Sequence, residues 1–408
     1  MKKIQREHTI EDSKGIISAK SAKRKFLLRR LKTGSLYLIS TMLCTLNNIK
    51  SNCLAGSNKT CGRILLISLR HIGDFICSTS VIRALSSIYP NIGFDVVVHP
   101  DNREIASLLP NVRNVLTLTH TRGRGGGLST GRLVWVDLKN VLKEITSREY
   151  DALIILSPDA ILSLLVQILF FFKRRPIKVC DVSRFNLINI LNGTAKKKHW
   201  LDIFRQVIAP LVKNGNVPQL IPFIKMPEVN RSWCESHSKD KLIIGFCVGA
   251  GWKHRKWNRI HYLDVANLIL QEHKNALIMI YGYDSEDAET AKFIKNNCRP
   301  PERVETFINV GMMDFIKSLK QCDLVLSSDS GPAHIASALA IPLLVIFGPQ
   351  TPDLCAPRGF STVKVYWKKL ECSPCDQTVC FNPVQRKCMD SILPAEVFEG
   401  VKEIIQSL

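Results

Sequence analysis

The feature that most constrains the fold is the stretch LVLSSDSGPAHIASALAIPLLVIFGPQTP at residues 324–352. It predicts a buried strand at Leu324–Leu326, a polar turn, a helix at His334–Ala340 and a second buried strand at Leu343–Phe347. Two strands joined through a helix form a parallel α/β unit, and the N-terminus of such a helix is a natural phosphate site. The alternative is an ordinary connection in which Asp329 is the helix N-cap.

Alternating strand and helix patterns continue before this stretch. The 408 residues exceed what one hydrophobic core usually serves, so two domains are expected, with a linker around the proline-containing segment Lys213–Glu228. The other predicted strands are Arg63–Arg70, Phe94–His99, Val112–Leu118, Leu153–Leu156, Leu242–Val248 and Ala276–Tyr281. The pattern predicts an α/β protein with two doubly wound, Rossmann-like domains that face each other across a cleft, at residues 61–225 and 226–408.

Residues 1–60 form an extension before the first predicted strand. Residues 1–32 contain eleven lysines and arginines against three acidic residues, which suits an anionic lipid or nucleic acid. The apolar run Leu36–Leu46 follows and is too short for a membrane span, which takes about 20 residues. An interfacial anchor beside a basic tail is the preferred interpretation, and a signal peptide is the alternative.

A second apolar segment is predicted to be a helix at Ile161–Phe172. Its polar residues are Ser163 and Gln167, which lie four positions apart on one face. Burial is preferred over contact with a membrane surface. The chain also has 14 cysteines, most of them isolated in apolar segments, which favours a reducing cytoplasm.

In the second domain, three turns follow predicted strands and should meet at one edge of the sheet. Gly249 and Gly251 allow close backbone approach to an anion, and a basic aromatic segment containing Lys256 follows them. The second turn carries Glu286, whose carboxylate suits ribose hydroxyls. The third turn is the opening stretch, and the three together suit a nucleoside diphosphate.

In the first domain, the first strand is followed by Gly73 and Asp74 at the expected mouth of the cleft. Asp74 suits proton abstraction from an attacking hydroxyl, or alternatively the N-cap of a helix at Cys77–Ile88. Positive charge on the acceptor side is expected from Arg70 and from the cluster of Lys196, Lys197 and Lys198, for which a solvated loop is the alternative. The glycine-rich segment Thr121–Gly131 is expected to be a mobile surface loop.

Four segments, taken in order, resemble glycosyltransferase family 9, the family of the ADP-heptose:lipopolysaccharide heptosyltransferases. They are RILLISLRHIGDFICSTSVIRAL, the Lys256-Trp257 segment, SSDSGPAHIASALAIPLLVIFGPQTP and ECSPCDQTVCFNPVQRKCM. The resemblance runs from about Arg63 to the C-terminus, and the Gly-Asp and DSGPAH motifs are its specific parts.

The resemblance implies a GT-B fold, with the acceptor on the first domain and the nucleotide sugar on the second, and an inverting transfer. It implies that Asp74 is the catalytic base and that Lys256 binds the donor's phosphate and ribose. Glu286 is a looser match to a ribose-binding glutamate. The residues that resemble the diphosphate loop are Asp329, Ser330, Gly331 and His334.

Four cysteines near the C-terminus have the spacing C-x2-C-x4-C-x7-C and are Cys372, Cys375, Cys380 and Cys388. Taken alone they suit zinc or an iron–sulfur cluster. The resemblance includes this segment without implying a metal, so free or paired thiols are the preferred interpretation.

The sequence therefore predicts an inverting, metal-independent glycosyltransferase that moves a heptose, most simply from ADP-heptose, to a lipopolysaccharide-core or related lipid-linked acceptor. The chain contains no Asp-x-Asp pair, and no cofactor besides the nucleotide sugar is expected. The expected location is the cytoplasm, peripheral on the inner membrane, with no nucleic acid partner. The alternatives are a GT-B enzyme with another nucleotide sugar, or a membrane- or nucleic-acid-associated binding protein that uses the basic tail.

Overall fold

The computed structural model describes residues 35–49, 62–119, 135–157, 160–172, 177–182, 185, 198–226, 241–375 and 379–408. The segment Thr121–Gly131, Lys196 and Lys197 lie outside these ranges, so the predictions made for them have no structural counterpart here. None of the helices within the described ranges combines the length and the apolar character needed to cross a membrane.

The first domain is a five-stranded parallel sheet with the strand order β3-β2-β1-β4-β5. Helices cover both of its faces, as short parallel-strand crossovers require. Its elements are α1 (35–49), β1 (Arg63–Ser68), α2 (Ile72–Ile88), β2 (Gly93–Val98), α3 (Arg103–Ser107), β3 (Val112–Thr117), α4 (Trp135–Thr146), β4 (Ala152–Ile155), α5 (Ala160–Phe171), β5 (Lys178–Asp181) and α6 (Trp200–Ile208).

The second domain is a six-stranded parallel sheet with the order β11-β10-β9-β6-β7-β8. The chain moves outward from β6 in one direction and then returns to build outward from β9 in the other, which is the doubly wound pattern. Its elements are β6 (Leu242–Cys247), α7 (Arg259–Glu272), β7 (Ala276–Gly282), α8 (Ser285–Asn297), β8 (Val304–Ile308), α9 (Met312–Leu319), β9 (Leu324–Ser328), α10 (Gly331–Ala338), β10 (Leu343–Phe347), α11 (Pro352–Cys355), β11 (Val363–Trp367), α12 (Lys387–Asp390) and α13 (Pro394–Ile405).

The central strands are buried on both faces, which is why they appear in the sequence as continuous apolar runs. Every residue of β2, β9 and β10 is buried. The predicted class, an α/β protein with two doubly wound sheets, is confirmed.

The predicted linker contacts both domains over the part that the structure describes. The backbone N–H of Phe223 donates to Thr79 Oγ1 of α2 at 3.1 Å, and the N–H of Ile224 donates to the Ala338 carbonyl of α10 at 3.3 Å. Val217, Leu220 and Ile224 are buried. This segment therefore packs against both domains, on α2 of the first and α10 of the second.

Several boundaries differ from the sequence prediction. The helix α2 begins at Ile72, five residues before the predicted start at Cys77, and only three residues separate it from the end of β1. The strand β9 continues through Ser327 and Ser328, which the sequence assigned to a turn. Both serines are fully buried, and the hydroxyl of Ser327 donates to the carbonyl of Ser328 at 2.8 Å, so these polar residues are satisfied inside the sheet.

The prediction that the helix at Ile161–Phe172 is buried is half right. On α5, Leu162, Val166 and Phe170 pack in the core of the first domain. Ile161 and Phe172, by contrast, are exposed. One face of this apolar helix thus remains in contact with solvent.

Candidate active site

The carboxyl edge of the second sheet contains a crevice where the winding direction reverses. The strands β6 and β9 are neighbours there, paired from Ile244 with Leu324 to Cys247 with Ser327. Open α/β sheets bind ligands at such a reversal point. The segments that leave β6 and β9 carry Lys256 and Asp329, so the fold brings these two predicted site residues to the same edge.

Lys256 lies at the centre of a group that we call the carboxylate cluster, formed by Lys256, Asp284, Glu286 and Asp287. Its Nζ is 2.7 Å from Asp287 Oδ1, 3.2 Å from Asp284 Oδ2 and 3.3 Å from Glu286 Oε2. The side chains of Lys256 and Asp287 are 7% and 4% exposed, whereas those of Asp284 and Glu286 are 52% and 44% exposed. The structure thus brings the predicted pair Lys256 and Glu286 together at the open side of this cluster.

The carboxylates keep Lys256 charged. Burial lowers the pKa of its ammonium, but hydrogen bonds and charge from Asp287 and then Asp284 outweigh burial and hold the pKa above its ordinary value of 10.5. The side chains of Asp284 and Glu286 are about half exposed and are accessible to hydroxyl donors, while Asp287 is buried beside the lysine. Carboxylates facing solvent are suited to accept hydrogen bonds from a ribose.

The helix α10 begins directly after the crevice. Its N-cap is Ser330, which makes no side-chain hydrogen bond to the first turn within the described residues. The hydroxyl of Ser330 donates instead to the carbonyl of Ser328 at 3.1 Å. The first-turn N–H groups of α10 are therefore not satisfied by a capping side chain, and such a helix terminus attracts anions.

The interpretation of Asp329 as the N-cap is wrong. Asp329 lies one residue before Ser330, and its Oδ2 is 3.3 Å from Arg255 Nη1. The guanidinium of Arg255 also stacks over Trp252 at 4.0 Å from the ring centroid. The buried carboxylate of Asp329 thus fixes the basic segment after β6 next to the start of α10.

In the first domain, Asp74 lies in the first turn of α2, and His71 rather than Asp74 is the N-cap residue. Asp74 Oδ1 is 3.2 Å from Arg70 Nη2. Burial raises the pKa of the Asp74 carboxyl, but Arg70, then His334 and His71, outweigh it and hold the pKa below its ordinary value of 3.8. Asp74 is therefore ionised at neutral pH and can accept a proton.

Arg70 is held tightly in place by its surroundings. Its guanidinium lies 4.1 Å from the centroid of the Trp200 ring and donates to the Leu156 carbonyl at 3.3 Å. The side chain is buried and contacts Asp74, so it is placed to orient that carboxylate, and the acceptor-binding role expected from the sequence stays a prediction. Lys198 is exposed, and its expected role in acceptor binding stays a prediction.

The two domains meet where α2 and α10 begin. A Cβ atom added to Gly73 would lie 2.8 Å from His334 Cδ2, and one added to Gly331 would lie 3.4 Å from Ile72 Cγ2. Cys77 Sγ is 3.9 Å from His334 Nδ1. Burial lowers the pKa of His334 to about 4, so its imidazole is neutral at pH 7 and offers a hydrogen bond rather than a charge.

The two glycines after β6 differ in their surroundings. A Cβ atom at Gly249 would lie 2.5 Å from Asp287 Oδ2, so the glycine makes room for the buried carboxylate rather than for an anion from solvent. At Gly251 an added Cβ would meet no atom of the described residues within 4 Å. Gly251 therefore faces open space beside the crevice.

The four C-terminal cysteines are free thiols. Burial, with smaller contributions from the nearby thiols of Cys375, Cys372 and Cys380, raises the pKa of Cys388 to about 11, so it remains protonated. Asn382 Nδ2 lies 3.2 Å from Cys372 Sγ, and the N–H of Arg386 lies 3.4 Å from Cys380 Sγ. Within the ranges that the structure describes, no group of three or more histidine, cysteine or acidic residues is arranged to hold a metal ion.

Sequence analysis missed Asp284, Asp287 and Arg255 as site residues. Asp284 and Asp287 form a capping box, in which each side chain accepts from the other residue's N–H. The Asp-x-x-Asp spacing before a helical pattern was a usable signal for the start of α8 at Ser285. No comparable local signal links Arg255 to Asp329, which lie 74 positions apart.

Comparisons with known proteins agree with this architecture. The family model for glycosyltransferase family 9 (heptosyltransferase) matches residues 139–384. Lipopolysaccharide heptosyltransferase 2 of Escherichia coli K12 is 25% identical over 312 residues, which cover 72% of this chain and 85% of that protein.

Two solved structures share the fold. The E. coli ADP-heptose lps heptosyltransferase II has a TM-score of 0.62 at 20% identity and covers 85% of this chain and 99% of its own. A glycosyl transferase family 9 from Veillonella parvula has a TM-score of 0.65 at 17% identity, with 86% and 100% covered. The GT-B arrangement of two Rossmann-like domains, expected from the sequence, is confirmed.

Proposed function

The chain belongs to glycosyltransferase family 9, the heptosyltransferase family, and we propose that this glycosyltransferase moves a heptose from ADP-heptose onto the core of lipopolysaccharide. The observation that carries the proposal is the pair of facing groups at the cleft. Asp74 lies on the first domain, and the carboxylate cluster and the start of α10 lie on the second. The names of the E. coli relatives support the choice of ADP-heptose and lipopolysaccharide.

In the proposed reaction, Asp74 is the general base. Its carboxylate takes the proton of the acceptor hydroxyl while the hydroxyl oxygen forms a bond to the anomeric carbon of the heptose. The bond from that carbon to the diphosphate breaks, and its electron pair leaves with ADP. A single displacement of this kind inverts the anomeric configuration.

Arg70 supports this role by orienting Asp74 and keeping it ionised. The lowered pKa makes Asp74 a weak base, so proton transfer is favourable only once the attacking oxygen has begun to bond to carbon. This timing fits a displacement in which the bond to the diphosphate is already breaking.

The leaving group needs donors at the second domain. We assign the diphosphate to the N-terminus of α10, where backbone N–H groups and the neutral imidazole of His334 would donate to its oxygens. Asp329 and Arg255 hold this turn in place, and Gly331 keeps it close to Ile72 of the first domain. The ribose is assigned to Glu286 and Lys256 at the open side of the carboxylate cluster.

Metal independence is the remaining part of the proposal. It rests on these donors, together with the lack of any Asp-x-Asp pair in the sequence. A chelator should leave transfer unchanged, and activity that is lost with the chelator and restored by a divalent cation would contradict the assignment.

The test is transfer with purified full-length protein, heptose-deficient lipopolysaccharide and ADP-, UDP- or GDP-linked sugars. We expect nucleotide release from ADP-heptose and an inverted linkage in the product by NMR. The variant Asp74→Asn should lose at least about 100-fold in kcat. The matched control is Asp264→Asn, the same change at an exposed carboxylate on α7. Full activity of Asp74→Asn would refute the assigned base, and release only from another nucleotide sugar would refute the donor.

A further inference from the structure

Two helices on the outside of the first domain carry no charged residue at all. They are α1, with the sequence SLYLISTMLCTLNNI at 35–49, and α5, with AILSLLVQILFF at Ala160–Phe171. Surfaces that face only water usually contain about 25–35% charged residues. The complete lack of charged residues on two solvent-facing helices therefore indicates that this surface binds something other than water.

Four polar side chains of these two helices point inward. Ser40 and Asn47 of α1 and Ser163 and Gln167 of α5 are all buried. The hydroxyls of Ser40 and Ser163 are 2.8 Å apart, and Gln167 Nε2 donates to Ser40 Oγ at 2.8 Å. Asn47 Nδ2 donates to the backbone carbonyl of Gln167 at 3.4 Å. Ser40, Ser163 and Gln167 also donate hydrogen bonds to the buried carboxylate of Asp181 in β5, so a polar network joins the two helices to each other and to the sheet.

Tyr37, Leu162, Val166 and Phe170 are buried, but many of the other large apolar side chains in this region point outward. Nine of them are between 37% and 80% exposed, and together they define what we call the apolar face. Its residues are Leu38, Ile39, Met42, Leu46, Ile49, Ile161, Leu165, Ile168 and Phe172. The outer face of a surface helix in a water-soluble domain is normally polar, so an apolar outer face is the unusual feature here. Polar contacts between helices with apolar residues outside are typical of proteins in contact with lipid.

We propose that the apolar face docks the protein onto an anionic lipid surface. The charge of the adjoining sequence supports this occupant, because residues 1–32, which precede α1, contain eleven basic and three acidic residues. Anionic headgroups attract such a segment, and stable membrane attachment commonly needs both a basic segment and an apolar insertion.

A second copy of the chain fits this face less well. Two copies that met through their apolar faces would bring two strongly basic N-terminal segments together, and like charges repel. The apolar run of this helix, Leu36–Leu46, is shorter than the roughly 20 residues that a membrane span takes, and no helix of the described ranges is long and apolar enough to cross a membrane. We therefore place α1 along the lipid surface rather than across it.

The apolar face begins at the edge of the sheet where Asp74 lies. Leu156, which follows β4 and precedes α5, accepts a hydrogen bond from the Arg70 side chain, and Arg70 in turn contacts Asp74. On the proposed function, a lipid-linked acceptor would reach the base from the surface that the enzyme rests on. The docking itself does not depend on that function, since it is measured without substrate.

The test is co-sedimentation of the full chain with vesicles of phosphatidylethanolamine and phosphatidylglycerol, compared with vesicles of phosphatidylcholine alone. We expect binding to the anionic vesicles that weakens as salt is raised. The double variant Leu38→Glu/Met42→Glu should bind at least about tenfold more weakly. A second double variant, Leu165→Glu/Phe172→Glu, changes the other helix and should give the same loss.

The matched control is Ile260→Glu, which changes an equally exposed apolar residue on α7 of the second domain and should bind like the wild type. Thermal unfolding of each variant confirms that the replaced exposed side chains leave the fold intact. Equal binding by the wild type and both double variants, or no binding by the wild type, would overturn the proposal.

Two other occupants give different results. If the wild type dimerises in ultracentrifugation, Met42→Glu abolishes the dimer and vesicles do not bind, the face is an interface between copies and the proposal fails. A variant with Lys23, Arg24, Lys25, Arg29 and Arg30 changed to glutamine should bind anionic vesicles more weakly. Stronger binding by that variant would mean that the N-terminal segment itself covers the face.

Discussion

Replacing Lys256 with methionine removes the ammonium group from the carboxylate cluster and keeps most of the length of the side chain. The change leaves Asp287 buried without the cation that lies 2.7 Å from its Oδ1. Asp287 Oδ2 still accepts a hydrogen bond from the N–H of Tyr283 at 3.0 Å. The substitution therefore removes one charged partner from a buried ion pair, since the side chains of Lys256 and Asp287 are only 7% and 4% exposed.

Breaking a buried ion pair by removing one partner costs about 3–5 kcal/mol. The lower end applies to Lys256→Met, because Asp287 keeps the Tyr283 hydrogen bond and the other two carboxylates are half exposed to water. We expect a loss of about 3 kcal/mol in the free energy of unfolding. The double variant Lys256→Met/Asp287→Asn should lose less than the two single variants together, with a coupling energy of about 2 kcal/mol.

The assay is urea denaturation followed by tryptophan fluorescence, for which the buried Trp257 beside Lys256 is a local reporter. The matched control is Lys253→Met, because Lys253 contacts Glu286 at 3.4 Å but is 85% exposed. That control should change the free energy of unfolding by no more than about 0.5 kcal/mol.

The contribution of Lys256 to stability is expected to fall at high pH. The folded-state pKa of Lys256 is raised above 10.5 because its carboxylate partners outweigh burial. The stabilisation by this lysine is then complete below pH 10.5 and is lost as pH rises through the folded-state pKa. The importance of the Lys256–Asp287 ion pair would be refuted if Lys256→Met lowered the free energy of unfolding no more than Lys253→Met does. Strictly additive losses in the double variant would refute it as well.

Two further predictions concern the contact between the domains. Arg70→Gln removes the charge that, against burial, lowers the pKa of Asp74, so the acid limb of the pH profile of kcat/KM should move to higher pH, while Arg70→Lys should move it less. An unshifted limb would mean that Arg70 does not act through Asp74. Gly73→Ala places a Cβ atom 2.8 Å from His334 Cδ2 and should lower stability by about 1–3 kcal/mol together with kcat/KM. Gly251→Ala, which adds a Cβ facing open space, is its control, and equal behaviour of the two variants would contradict the close packing.

The sequence was sufficient to predict the two sheets and the edge at which the site lies. Buried parallel strands appear as continuous apolar runs, as at Leu343–Phe347, and the turns after them must meet at the carboxyl edge. This is why Lys256, Glu286 and Asp329 were found together. Which of these side chains contact each other depends on the strand order β9-β6-β7, and that order could not be predicted from the sequence.

The remaining features depend on contacts between distant segments. The packing of Gly73 against His334 joins α2 to α10, and no local pattern reports it. Periodicity placed Ser163 and Gln167 on one face of α5, but it could not tell whether that face points inward. The structure shows that it does, because Ser163 and Gln167 both hydrogen-bond to Ser40 of α1 and to the buried carboxylate of Asp181 in β5.

The distribution of charge in the cleft limits which groups can stabilise the proposed leaving group. Lys253 and Lys256 are opposed by Asp284, Glu286 and Asp287, so this part of the site carries no net positive charge for a diphosphate. A lowered pKa of about 4 keeps His334 neutral at pH 7. The start of α10 offers N–H groups and about half a positive charge. Because these donors are fixed by the fold before negative charge grows on the departing diphosphate, we expect them to stabilise it without reorganisation, which is the condition under which hydrogen-bond donors contribute most to a transition state.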